Sequence, residues 1–152
     1  MATPAERLRE LGLTLPSVAA PAGSYIPARR AGSLVFTAGQ LPFVDGTLPA
    51  TGKVGAEVSP DDAHELARLC ALNGLAAVDG LVGLDAVVGV VKVVGFVASA
   101  PGFTGQPGVV NGASELLSAV FGQAGRHARS AVGVAELPMG SPVEVELVVE
   151  LS

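Results

Sequence analysis

A chain of 152 residues fits one domain and is long enough to bury a sizeable core. Its net charge of −5 and only nine basic residues argue against a broad nucleic-acid surface, because nonspecific binding of that kind is driven by Lys and Arg neutralising phosphates. Hydrophobic residues make up 49% and charged residues 15%, with 20 glycines and no tryptophan, so a core of small aliphatic side chains is expected, with some apolar surface left to meet another subunit. The single cysteine, Cys70, rules out an internal disulfide, and no Cys/His cluster has zinc-ligand spacing. The opening MATPAERLRELGL lacks the apolar core of a signal peptide. The longest apolar run, Ala86–Ala98, is broken by Lys92 and glycines and falls short of the roughly 20 residues of a membrane helix. A soluble cytoplasmic protein is the expectation.

In chain order, Pro4–Gly12 reads as a short helix closed by glycine, with Leu8, Leu11 and Leu13 free to dock. Tyr25–Arg30 and Ser33–Gln40 read as two strands around a tight turn at Ala31–Gly32, and Asp45–Gly46 marks another turn. Ser59-Pro60-Asp61-Asp62 starts a helix: Ser59 suits the N-cap, Pro60 the first helical position, and the acids favour the positive first turn. Ala63, Leu66, Ala67, Cys70, Gly74, Ala77 and Leu81 form one stripe of that helix, small enough for close approach to a sheet, with Asp61, His64, Glu65 and Arg68 on the solvated side. Val87–Val97 is a nearly continuous valine run, suited to a central strand covered by helices on one face and by neighbouring subunits on the other. Ala113, Leu116, Leu117, Val120 and Phe121 define a second amphipathic helix ending at Gly122.

The last two strands show strict alternation: Val143, Val145, Leu147, Val149 and Leu151 form a core face, and Glu144, Glu146, Val148 and Glu150 the other. Paired as an ordinary hairpin around PMGSP, they set Glu144 opposite Glu136 and Arg129 opposite Leu151. Arg129 and Glu144 then lie roughly 25 Å apart, and a pocket using both requires two subunits.

Arg129 stands inside the apolar, strand-like segment ARSAVGV. A guanidinium carries five donors and a charge that cannot be titrated away, so an anion is expected beside it, either an internal Asp/Glu or a small carboxylic acid held by two parallel bonds.

The stretches ARSAVGVAELP, PVEVELVVE and SYIPARRAGSLVFTAGQLP, in their order in the chain, resemble the RidA family, also called YjgF-like or L-PSP endoribonuclease-like, from about Gly23 to Leu151. The resemblance implies an α+β, chorismate-mutase-like fold over residues 23–152: a mixed β-sheet backed by two helices, three copies closing a barrel and sharing pockets. Residues 1–22 would be a helical extension. It also implies a hydrolase that turns small 2-imino acids, such as 2-iminobutanoate and 2-iminopropanoate, into 2-keto acids and ammonia without a cofactor or metal. Arg129 resembles the family's carboxylate-binding arginine, Glu144 the acid that orients or activates water, Tyr25 the pocket tyrosine and Gly39 the glycine of the substrate-contacting loop. Asn111 resembles an asparagine near the start of the second helix. Two positions depart from the pattern. Ala38 stands where a serine is usual, and Ala131 where a cysteine is common, although a backbone carbonyl there still serves to hold water. The lost hydroxyl keeps a second reading open, a noncatalytic homotrimer that binds small carboxylic acids. A ribonuclease or translation-inhibitor role is disfavoured by the acidity and by the lack of a His/Lys pair.

Overall fold

The computed structural model describes residues 1–152. The first helix, α1 (Pro4–Glu10), begins at a capping box in which the Glu6 N–H donates to the Thr3 hydroxyl and the Thr3 N–H donates to the Glu6 carboxylate. Leu8 carries it into the common core. Strands β1 (Ala28–Ala31) and β2 (Leu34–Thr37) form the expected hairpin, turned at Gly32 with φ 61°. Both are shorter than the sequence suggests, and Tyr25 lies before the first strand.

Helix α2 (Pro60–Val82) starts at Ser59, whose hydroxyl accepts from the Asp62 N–H. Its small stripe is buried from Ala63 to Ala77, and at Gly74 the helix lies so close to the sheet that a Cβ would fall 2.8 Å from Leu147. Leu81 is an exception to the expected stripe: it is 45% exposed, in an open groove beside Val18 and Ile26. His64 also departs from a purely solvated role. It bridges to Glu115 on α3 (Gln106–Phe121) at 2.9 Å, because α2 and α3 cross where Gly112 meets the His64 carbonyl without a side chain between them.

Strands β3 (Val87–Ala98), β4 (Ala128–Val134) and β5 (Val143–Leu151) complete a mixed sheet of order β1-β2-β5-β3-β4. β3 is its centre, antiparallel to β5 and parallel to β4. The hairpin expected for the last two strands is therefore not formed, and Glu144 does not face Glu136 nor Arg129 Leu151. The physical reason is the connection, residues 135–142. It exceeds the two to five residues of a tight hairpin and is pinned across the end of β3, where the Ala98 N–H donates to the Pro142 carbonyl. Arg129 pairs with Val93, which pairs with Leu147; Glu144 pairs with Phe96, which lies beside Val132.

Helices α2 and α3 cover one face, packing on Val35, Val93, Val97, Val145, Leu147 and Val149. The opposite face has no cover within the chain. Phe36, Val88, Val91 and Val132 are each at least 40% exposed there, and register irregularities in β3 at Val88 and Val91 help turn those valines outward. No helix of the chain is long and apolar enough to cross a membrane.

Candidate functional site

Arg129 projects from β4 toward the start of α3, on the helix side of the sheet. Its Nη1 donates to Asn111 Oδ1 at 2.7 Å and to Ser114 Oγ at 3.2 Å, and its Nη2 donates to the Pro107 carbonyl at 3.3 Å. All three acceptors are neutral. The chain's Lys or Arg ion pair is Lys53–Glu136, and Glu65 and Glu115 lie against His64, so the internal carboxylate partner is absent and two donors, Nε–H and one on Nη2, have no acceptor in the chain.

A second tier holds this arrangement. His127 Nδ1 lies 2.6 Å from the Gly125 carbonyl and so carries the proton there, which leaves Nε2 to accept from the Ser114 hydroxyl at 2.9 Å. The Ser114 lone pairs are thereby turned to Arg129. The sequence groups His127 with Arg126 and Arg129 as a place for a single anion, whereas it gives Ser114 no part, although Ser114 follows Asn111 by three residues on one helix.

Tyr25, Gly39 and Glu144 come together elsewhere, around a cavity of about 60 Å³ also bounded by Ala19–Ala22, Phe43 and Pro138. That volume suits a water or two rather than a substrate. Gly39 admits the carboxylate: a Cβ there would lie 2.6 Å from Glu144 Oε1. Burial pushes the Glu144 carboxyl above its ordinary value, and the neighbouring Glu146 adds to the shift. The Tyr25 hydroxyl accepts from the Ala22 N–H at 3.0 Å, which ties the ring to the preceding segment. Ala38 offers only backbone, its N–H donating to the Pro27 carbonyl. Cys70 lies nearby but is fully buried, and burial followed by the charge of Glu144 pushes its thiol up, as befits a packing residue.

Arg129 and Glu144 are thus three residues apart along the ladder and two strands across, roughly 14 Å, rather than the separation a hairpin would give. They also project from opposite faces. Arg129 shares a face with the buried Val93 and Leu147, whereas Glu144 alternates with the buried Val143 and Val145. One chain does not unite them. Ala131 shares the Arg129 side of β4 and packs against the core.

The family model described as "YjgF/chorismate_mutase-like, putative endoribonuclease" matches residues 5–151. A Trypanosoma cruzi protein named Protein TCP17 is 45% identical over 150 residues, covering 97% of this chain and 94% of its own. The crystal structure of a "putative endoribonuclease" from Shewanella oneidensis MR-1 superposes with a TM-score of 0.95 at 34% identity, covering 99% of this chain and 100% of that one. E. coli TdcF with bound serine does so with a TM-score of 0.65 at 28% identity, covering 91% and 96%. With this fold and these matches across nearly its whole length, the chain belongs to the YjgF/RidA family.

Proposed function

We propose that the protein is a homotrimer that hydrolyses small 2-imino acids of the 2-iminobutanoate and 2-iminopropanoate type at sites formed between copies. One copy supplies Arg129 and the Ala131 carbonyl; its neighbour supplies Tyr25, Gly39 and Glu144. The observation that carries this reading is the Arg129 guanidinium, fixed by neutral acceptors, with no carboxylate beside it and two donors to spare. Two donors are what a carboxylate accepts in the paired geometry. The uncovered apolar sheet face supports assembly, and the serine bound to E. coli TdcF supports a small-molecule ligand.

In this reading Arg129 anchors the substrate carboxylate and fixes the imine carbon near a water. Glu144, its proton affinity raised by burial, takes a proton from that water as the oxygen adds to the C=N carbon. The same carboxyl returns the proton to nitrogen. The carboxyl then carries the hydroxyl proton of the carbinolamine to its amino nitrogen, the C–N bond breaks as the C=O forms, and ammonia leaves the 2-keto acid.

Freshly generated 2-iminobutanoate should be hydrolysed by the wild type and not by Arg129→Ala. Arg129→Lys keeps the charge but loses the fork, so it should retain trimer mass and melting temperature while binding 2-ketobutyrate more weakly in calorimetric titration. A variant that melts much lower yet binds normally when folded would make Arg129 a structural residue. Ala38, which supplies no hydroxyl, favours the alternative of a noncatalytic carboxylate-binding trimer; 2-ketobutyrate binding without any turnover would select it.

A further inference from the structure

A cavity of about 400 Å³ lies apart from Arg129, between residues 16–20 and the hairpin 43–46, with Asn73 of α2 as its floor. Its size falls within the range of small-molecule sites, unlike the 60 Å³ space beside Glu144 that it adjoins through Ala19, Ala20 and Phe43.

Asn73 is only 4% exposed. Its amide donates to the carbonyls of Leu41 at 2.9 Å and Phe43 at 3.1 Å, which uses both N–H groups and fixes the side chain, since a flipped amide would set its oxygen against two carbonyls. Oδ1 then accepts nothing within the chain and faces the cavity. No buried side-chain oxygen or nitrogen of the chain lacks a partner, so Oδ1 is open to the cavity and free to accept from a ligand or water there.

At the rim stands Asp45. It forms a two-residue hairpin tip with Gly46, at φ 50° and 78°, closed by the Val44 N–H to the Thr47 carbonyl and the reverse bond. Such a tip is rigid and keeps the carboxylate at the mouth. Asp45 makes no ion pair in the chain. The lining contains no Lys or Arg, and its remaining wall is largely apolar, with Val18 and the Phe43 ring most prominent.

We infer that this cavity is a second small-molecule site, for a ligand with an ammonium head and an apolar body of arylalkyl size. The head meets Asn73 Oδ1 and the Asp45 carboxylate, while the body packs on Phe43 and Val18. A carboxylate ligand would be repelled by Asp45 and find no cation. The inference does not depend on the imine-hydrolysis reading.

The test is titration of the ¹⁵N-labelled protein with 2-phenylethylamine and, separately, 3-phenylpropionate. The amine should shift the signals of residues 16–20, 43–46 and the Asn73 side-chain amide to saturation; the acid should leave them unmoved. Asp45→Asn keeps the hairpin tip, because asparagine tolerates positive φ, and should weaken the amine about fivefold. Ser17→Trp should fill the mouth and abolish amine binding with the melting temperature unchanged, while Arg129 still binds 2-ketobutyrate. Shifts that do not saturate, equal binding of the acid, or undiminished amine binding by Ser17→Trp would each overturn the assignment.

Discussion

An arginine surrounded by neutral oxygens keeps its charge available to a ligand, and its aim depends on what holds those oxygens. Ser114 accepts from Arg129 while donating to His127, so Ser114→Ala removes one of three fixed contacts without touching the charge. The expected result is 2-ketobutyrate affinity reduced about three- to tenfold at little change in melting temperature, measured by calorimetry. At Glu144 the surroundings disfavour the charged form. Its folded pKa is above that of the unfolded chain, so the native state binds the proton more tightly. Stability is greatest below the unfolded carboxylate range and falls as pH rises through the folded pKa. Glu144→Gln should therefore raise the melting temperature at neutral pH, with the gain shrinking as the pH falls toward the acid range, while abolishing hydrolysis. A melting temperature unchanged across pH would contradict the assignment of the shift to Glu144. These residues differ in how legible they are. Arg129 stands out because a charge in an apolar strand demands an explanation, and His127 is grouped with it by proximity in sequence, whereas Ser114 becomes visible only when β4 is laid against α3.

Helix crossing is decided by glycine on α3. At Gly112 a Cβ would be driven into the His64 carbonyl of α2, and backbone cannot give way as a flexible side chain can. Gly112→Ala should cost about 1–3 kcal/mol in urea denaturation. Gly108, also on α3, has nothing near its missing side chain, so Gly108→Ala should be neutral or stabilising by up to about 1 kcal/mol. Equal effects at the two sites would remove the packing argument. The elements themselves were largely readable: Ser59-Pro60 marks the start of α2, the valine run is the central strand, and strict alternation makes β5. Pairing was not. Alternation tells which side of a strand is buried but not which strand lies beside it, and the long link 135–142 carries β5 past β3 to its far edge.

For the whole molecule, the sheet has helices on one face and exposed Phe36, Val88, Val91 and Val132 on the other. In the proposed trimer neighbouring copies cover this apolar face, and light scattering should return three times the 15.1 kDa chain mass. Val91→Asp should shift that mass toward the monomer and remove hydrolysis together with it. The need for two copies could be argued from sequence through the distance between Arg129 and Glu144. The structure replaces that distance with a shorter one and places the two residues on opposite faces of one sheet. The most direct test of the shared site is complementation. Arg129→Ala and Glu144→Gln should each be inactive alone, and co-expressed in equal amounts with random assembly, about one site in four over all trimers should combine an intact Arg129 with an intact Glu144. Recovery of roughly a quarter of wild-type 2-iminobutanoate hydrolysis is the predicted result; mixed trimers as inactive as either parent would contradict a site built across the interface.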